Sequence, residues 1–129
     1  MLHYYIAPGL SYKHLQGALK KLNAEKLNKR IVIRSLDEAK AHRIMSVVAE
    51  YYNIFLQDLK SESRIGKFKG ARQIAQYLIK EKTTLNYAQI ARLFNRERTT
   101  VYYSCQTVAD LRSIDKKFES EYKEVESYV

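Results

Sequence analysis

A group of side chains suited to nucleic-acid binding lies at residues 96–100, which read Arg-Glu-Arg-Thr-Thr. Arginine can donate two parallel hydrogen bonds to a guanine edge, and a threonine methyl group can contact the methyl group of thymine. If a helix begins here, its first turn presents Arg98, Thr99 and Thr100 together, at a helix end that also attracts phosphate. Tyr103 follows one turn later, where its hydroxyl could contact a phosphate or the ring could pack. The segment therefore predicts contact with the major groove of duplex DNA.

Residues suited to catalysis or metal binding form no comparable group. The chain has eleven tyrosines, but a tyrosine nucleophile for strand transfer would need clustered His and Arg or paired histidines. The three histidines, His3, His14 and His42, are scattered without the spacing of metal ligands. The single cysteine, Cys105, cannot form an internal disulfide and falls on the inner side of a predicted helix. We therefore expect no enzymatic activity, no metal and no cofactor.

The charge of the chain is strongly positive and unevenly distributed. Lys and Arg total 23 against 14 Asp and Glu, which gives a net charge of +9. Residues 60–85 hold seven basic and two acidic side chains, residues 1–34 hold seven and one, and residues 114–129 hold three and five. Such an excess attracts nucleic acid or an anionic membrane, although solubility alone is the alternative. No apolar run approaches a membrane span, and a single cysteine fits a reducing compartment, so we expect a cytoplasmic protein.

The periodicity of apolar residues indicates an all-α protein in the main. Arg-Ile-Val-Ile-Arg at 30–34 is the exception, because it is typical of a short strand, which could pair with residues 2–6. Ser35 with Glu38 three residues later is typical of a capping box and predicts that a helix begins there. A loop is expected at 61–70. The predicted helices are 12–27, 35–52, a short turn or helix at 55–60, 71–82, 87–94, 96–113 and 115–128.

Residues 86–113 have the pattern of a helix-turn-helix. Asn86 with Gln89 predicts the start of a short helix, in which the small Ala91 permits close approach of a second helix. Asn95 suits the left-handed residue that follows a helix C-terminus. In this motif a short supporting helix is followed by a tight turn and a longer helix. The longer helix reads DNA by presenting its first turns to the major groove.

Four segments between Ile44 and Ser113 carry a family resemblance: VAEYYNI, DLKSESR, ARQIAQYLIKE and IARLFNRERTTVYYSCQTV. Together they resemble the C-terminal DNA-binding domain of the bacterial chromosomal replication initiator DnaA, in the Trp-repressor-like group. The resemblance implies a helix-turn-helix helical bundle and duplex DNA as the partner. It also implies base contacts from a threonine pair, a minor-groove contact from an arginine in a basic loop, and register-fixing contacts, mainly to phosphates, from surrounding helices. The matching residues are Thr99 and Thr100; Arg64; and Arg72, Gln73, Lys80, Thr83 and Arg96.

The predicted loop at 61–70 contains further basic residues, Lys67 and Lys69, and two glycines. We interpret it as a flexible arm that could reach a groove, with a solvated charged loop as the alternative. Arg98 stands where the family usually has a base-reading histidine, Glu97 replaces its aspartate, and Asn95 replaces a glycine. These departures leave the target sequence open and do not change the expected docking.

The chain contains no GxxxxGK[ST] sequence, the loop that cradles nucleotide phosphates. We therefore expect a stand-alone DNA-reading domain that binds no nucleotide and acts as an accessory regulator of replication or transcription, of phage, mobile-element or chromosomal origin. The alternative is an interaction module that keeps the fold but docks on a replication or transcription protein. The expected domains are an extension at 1–34, the DNA-binding domain at 35–113 and an acidic amphipathic helix at 114–129. The oligomeric state is left open.

Overall fold

The structure is a computed structural model that describes the backbone of residues 12–129 and the side chains of residues 20, 21 and 23–129. Within these residues all regular secondary structure is helical, which confirms the expected all-α class. The helices are α1 (Tyr12–Tyr51), α2 (Leu56–Lys60), α3 (Gly66–Lys82), α4 (Tyr87–Leu93), α5 (Arg98–Ile114) and α6 (Lys116–Ser127).

Helix α1 differs most from the sequence-based prediction. The predicted helices at 12–27 and 35–52 are parts of one helix, and the segment 30–34, predicted to be a strand, lies inside it. Ser35 is therefore an interior helix residue and does not cap a helix N-terminus. Isoleucine and valine cost a helix only about half a kcal/mol each, whereas a strand requires a partner to hydrogen-bond with. The predicted partner, residues 2–6, lies outside the described residues.

The chain divides into two compact units after Leu36. The second unit, Asp37–Val129, includes α6, which the sequence-based division had set apart as residues 114–129. Tyr122 and Val125 of α6 are both fully buried in the core of this unit. None of the helices in the described part of the chain is both long and apolar enough to cross a membrane.

Helix α3 is the central helix of the second unit and packs against α2, α4 and α5. It begins at Gly66, five residues before the predicted start, so Lys67 and Lys69 lie on a helix and not in a flexible loop. Arg72 and Gln76 were predicted on the outward arc of this helix, but both are buried, at 7% and 0% exposure. Helices packed on several sides of α3 leave it no wide solvent-facing arc.

Helix α6 is attached to the end of α1 and to α5 by polar contacts as well as by apolar packing. The Tyr52 hydroxyl donates to the Glu121 carboxylate at 2.7 Å. The Arg112 guanidinium of α5 donates to both carboxylate oxygens of Glu119, at 2.8 and 2.9 Å, and lies 4.0 Å from the centre of the Tyr122 ring. These contacts make α6 an integral part of the scaffold on which α5 rests.

Candidate nucleic-acid interface

The turn between α4 and α5 sets the position of the α5 N-terminus. Asn86 and Gln89 cap the start of α4 reciprocally, each side chain accepting from the other's backbone N–H at 2.9 Å, as predicted. At its other end Asn95 has a φ of 52°, the left-handed conformation expected there. The N–H of Arg96 donates to the Ala91 carbonyl at 2.9 Å, which closes a Schellman turn. Local hydrogen bonds therefore define the bend of the helix-turn-helix.

The first turn of α5 is exposed, as a DNA contact requires. Arg98, Thr99 and Thr100 are all exposed, and the next residue, Val101, is fully buried and anchors the helix in the core. Tyr103 is 67% exposed and lies one turn beyond Thr99 on the same face. The helix end thus presents hydroxyl and guanidinium groups to solvent from a fixed base.

The segment between α2 and α3 is fastened by two arginines. Arg72 donates from Nε to the Leu59 carbonyl at 3.0 Å, and from Nη2 to the carbonyls of Ser61 and Ser63 at 2.9 and 3.1 Å. Arg96, just before α5, also donates to the Ser61 carbonyl. Burial, followed by the nearby Arg96 charge, lowers the pKa of Arg72 from its usual value. The segment is therefore attached to both α3 and the helix-turn-helix bend, which differs from the flexible arm that its glycines suggested.

A cleft with a volume of about 360 Å³ separates this segment from α5. Four of its lining side chains are cationic and one is a carboxylate, so an anion is the complementary ligand. The cleft brings together six of the residues predicted from sequence. Its lining residues are Glu62, Ser63, Arg64, Lys69, Arg72, Gln73, Arg96, Thr100 and Ser104.

A row of three tyrosine rings runs from α5 to α4 and ends at Lys80 of α3. Tyr103 packs edge-on against Tyr102 with ring centres 5.5 Å apart, and Tyr102 packs the same way against Tyr87 at 5.4 Å. The Lys80 ammonium lies 4.7 Å from the centre of the Tyr87 ring. Lys80 and Tyr103, both predicted to contact phosphate, are thus joined by one aromatic row.

The structure does not bring every predicted residue to the cleft. Lys67 lines a different groove, with Phe118 and Glu121. Thr83 uses both of its donors inside the protein, because its N–H and its hydroxyl each donate to the Ile79 carbonyl, at 3.0 and 2.7 Å. A phosphate contact through Thr83 would require its hydroxyl to leave the Ile79 carbonyl, and this contact stays a prediction. Arg72, also predicted to contact DNA, directs three hydrogen bonds to loop carbonyls and so holds the loop, and its contact with DNA stays a prediction.

Two features of the site were missed at the level of sequence. Ser104 lines the cleft although it was not singled out, and its position four residues after Thr100 on one helix face was the available signal. The second feature is the pair of backbone carbonyls, of Ser61 and Ser63, that accept hydrogen bonds from the arginines. Because every residue has a backbone carbonyl, the residue types gave no indication of this.

Cys105 is buried as predicted, and burial raises the pKa of its thiol to about 11. The described residues contain no group of three or more His, Cys, Asp or Glu side chains that could hold a metal ion.

Comparison with known proteins identifies the helix-turn-helix. Residues 41–108, more than half of the chain, match the family described as Bacterial dnaA protein helix-turn-helix. The chain belongs to this family. The matched range covers the DnaA-type helix-turn-helix from the last part of α1, through the cleft, to the second half of α5.

The DnaA helix-turn-helix in this chain has relatives in several bacteria, each named Chromosomal replication initiator protein DnaA. That of Tropheryma whipplei is 29% identical over 121 residues, which cover 83% of this chain and 25% of the relative. That of Nostoc sp. is 39% identical over 80 residues, covering 61% and 17%. That of Chromobacterium violaceum is 31% identical over 126 residues, covering 86% and 27%. The chain therefore spans about a quarter or less of the length of these relatives.

The fold is also similar to a solved structure described as a crystal structure of a DNA replication initiation factor. The TM-score is 0.72 at 25% identity, and the match covers 88% of this chain and 36% of the other. The structure comparison therefore supports the same fold.

Proposed function

We propose that this chain binds double-stranded DNA sequence-specifically by placing the N-terminal end of α5 in the major groove. The observation that carries the proposal is the exposed Arg98, Thr99 and Thr100 at the start of α5, beside a cleft in which four cations face one carboxylate. An exposed helix end with donors and methyl groups is the form in which a helix-turn-helix reads base edges. Membership of the DnaA helix-turn-helix family supports the same partner.

The proposal gives separate roles to the surrounding residues. Arg98, Thr99 and Thr100 read bases, and Arg64, at the far side of the cleft, enters the neighbouring minor groove. Phosphate contacts fix the register without selecting sequence. We assign these contacts to Lys69, Gln73, Lys80, Arg96 and the Tyr103 hydroxyl. Arg72 acts indirectly by holding the segment that carries Arg64.

We further propose that this binding serves an accessory role in replication or transcription, without a catalytic step. The name of the relatives supports a connection with replication initiation. The guanidinium, ammonium, hydroxyl and amide groups at the site can bind DNA without a cofactor.

The test is selection of bound duplexes from a random pool at two salt concentrations, followed by affinity measurements on the selected site. The proposal places four cations on the DNA backbone or in the minor groove: Arg64, Lys69, Lys80 and Arg96. The logarithm of the binding constant should therefore fall with the logarithm of the salt concentration with a slope of about −4. Thr99→Ala/Thr100→Ala should lose about 1–3 kcal/mol per base contact on the selected site and approach the affinity of the parent for unselected DNA.

Thr107→Ala is the matched control, because Thr107 is an exposed threonine of the same helix, two turns away from the threonine pair. It should bind as the parent does. Selection of no sequence, or a weak affinity that is insensitive to salt, would overturn the proposal and favour docking on another protein. Full specificity in the double threonine variant would show that α5 is not the reading helix.

A further inference from the structure

Ile65 is an apolar side chain held out into solvent at the start of α3. It is 61% exposed, and both of its backbone polar groups are engaged. Its N–H donates to the Ser63 hydroxyl at 3.3 Å, and its carbonyl accepts from the Lys69 N–H at 3.0 Å. An isoleucine branches at Cβ and has few χ1 rotamers available. Ile65 is therefore a rigid apolar projection and not the tip of a mobile loop.

The surroundings of Ile65 are cationic and are fastened to the reading helix. Arg64 precedes it, and Lys69 lies one turn further along the same face of α3. Both of these residues line the cleft that Thr100 of α5 lines from the opposite side. The backbone just before Ile65 is held by Arg72, through the Ser63 carbonyl. Ile65 therefore lies next to two cationic residues of the cleft, on backbone that is held relative to α5.

The combination of a rigid apolar group with neighbouring cations selects the partner. An apolar protein surface would leave the charges of Arg64 and Lys69 without counter-charges. Duplex DNA offers phosphates to the cations and stacked base faces to the apolar group, and apolar side chains inserted from the minor groove unstack base steps and kink the duplex. We propose that Ile65 inserts at a base step from the minor groove next to Arg64, partly unstacks that step and bends the bound DNA. This inference rests on the proposed function.

Ile114 provides a matched control for this inference. It is the same residue type and is more exposed, at 79%. It ends α5, about 24 Å along the helix axis from Arg98, and is therefore remote from the proposed DNA contact. Substitution of either isoleucine by serine removes a similar exposed apolar surface.

The experiment uses the full chain and the duplex selected by the parent protein, with single adenines replaced by 2-aminopurine, whose fluorescence rises when it is unstacked. At saturating protein the parent should raise the fluorescence at one step of the site. Ile65→Ser should lose most of this rise while the duplex stays bound, as anisotropy of a labelled strand reports. Ile65→Met, which keeps an apolar wedge, and Ile114→Ser should both retain the rise.

The possible results are distinct. An undiminished rise with bound Ile65→Ser, or no rise at any position with bound parent, would refute the insertion and leave the proposed function intact. Failure of the parent to bind any duplex would overturn the proposed function and the insertion together. If Ile65→Ser does not fold, as circular dichroism would show, Ile65→Ala replaces it under the same criteria.

Discussion

Arg72 could hold the segment before α3 through its guanidinium hydrogen bonds, or it could contact DNA directly. Replacement by lysine keeps the positive charge but loses most of these hydrogen bonds, so it distinguishes the two roles. The guanidinium makes three hydrogen bonds, to the carbonyls of Leu59, Ser61 and Ser63. Each hydrogen bond to a charged group contributes about 1.5–3 kcal/mol when its partner cannot be replaced by water. Ser61 keeps its bond from Arg96, and a lysine ammonium can reach one of the other two carbonyls. We therefore expect Arg72→Lys to lower the free energy of unfolding by about 2–4 kcal/mol.

Urea denaturation followed by circular dichroism measures this loss, which corresponds to a fall in Tm on the order of 10 °C. Hydrogen exchange should also accelerate at the amides of Ser63 and Ile65, because both donate to serine hydroxyls within the held segment. Arg92→Lys, at an exposed position of α4, is the control and should change stability by less than about 0.5 kcal/mol.

DNA binding by Arg72→Lys distinguishes a positioning role of the guanidinium from a direct contact with DNA. Because lysine retains the charge, the salt dependence of binding should keep its slope, while affinity for the selected site falls as the segment that carries Arg64 loosens. If Arg72→Lys keeps the parent's stability and amide exchange but loses affinity, the guanidinium contacts DNA directly and the positioning role assigned to it is wrong.

Two further predictions concern the scaffold. Gln76 is fully buried and its side-chain amide has no hydrogen-bond partner among the described residues, so Gln76→Met should stabilise the fold by about 1–3 kcal/mol in urea denaturation. Gln106→Met on the exposed face of α5 should not, and a destabilised Gln76→Met would mean that the amide is satisfied by water. The hydrogen bond from Arg112 lowers the pKa of Glu119 in the folded protein. The pair therefore stabilises the fold fully above the pKa of glutamate in the unfolded chain, about 4.3. This stabilisation is lost as the pH falls through the lower pKa of the folded state. Glu119→Gln should therefore flatten the fall of Tm with acidification below about pH 4.5, and an unchanged slope would contradict the pairing.

The features predicted correctly from sequence depend on short-range hydrogen bonds. Asn86 and Gln89 cap α4 with each other, and both residues lie within one turn. Asn95, expected after a helix C-terminus, has a positive φ of 52°, and Asn53, after the end of α1, has one of 54°. Because asparagine tolerates the left-handed conformation better than most residues, these positions can be identified without knowledge of the fold.

The predictions that failed concern which neighbour each residue meets. The segment 30–34 has strand-forming side chains, but the described structure continues α1 through it. Arg72 and Gln76 have polar side chains, yet they are buried where helices pack around α3. Lys67 was grouped with Lys69, but the two lie on different sides of α3, and only Lys69 reaches the cleft.

The amino-acid sequence alone specified the caps, the bend and the exposed residue types of the helix-turn-helix, because each depends on groups only a few residues apart. The tertiary structure decided which arginines face solvent and which hold the backbone. It did so because residues distant in sequence, such as Ser61 and Arg96, must first be brought together by packed helices. The cleft, the role of Arg72 and the rigid projection of Ile65 are consequences of that packing.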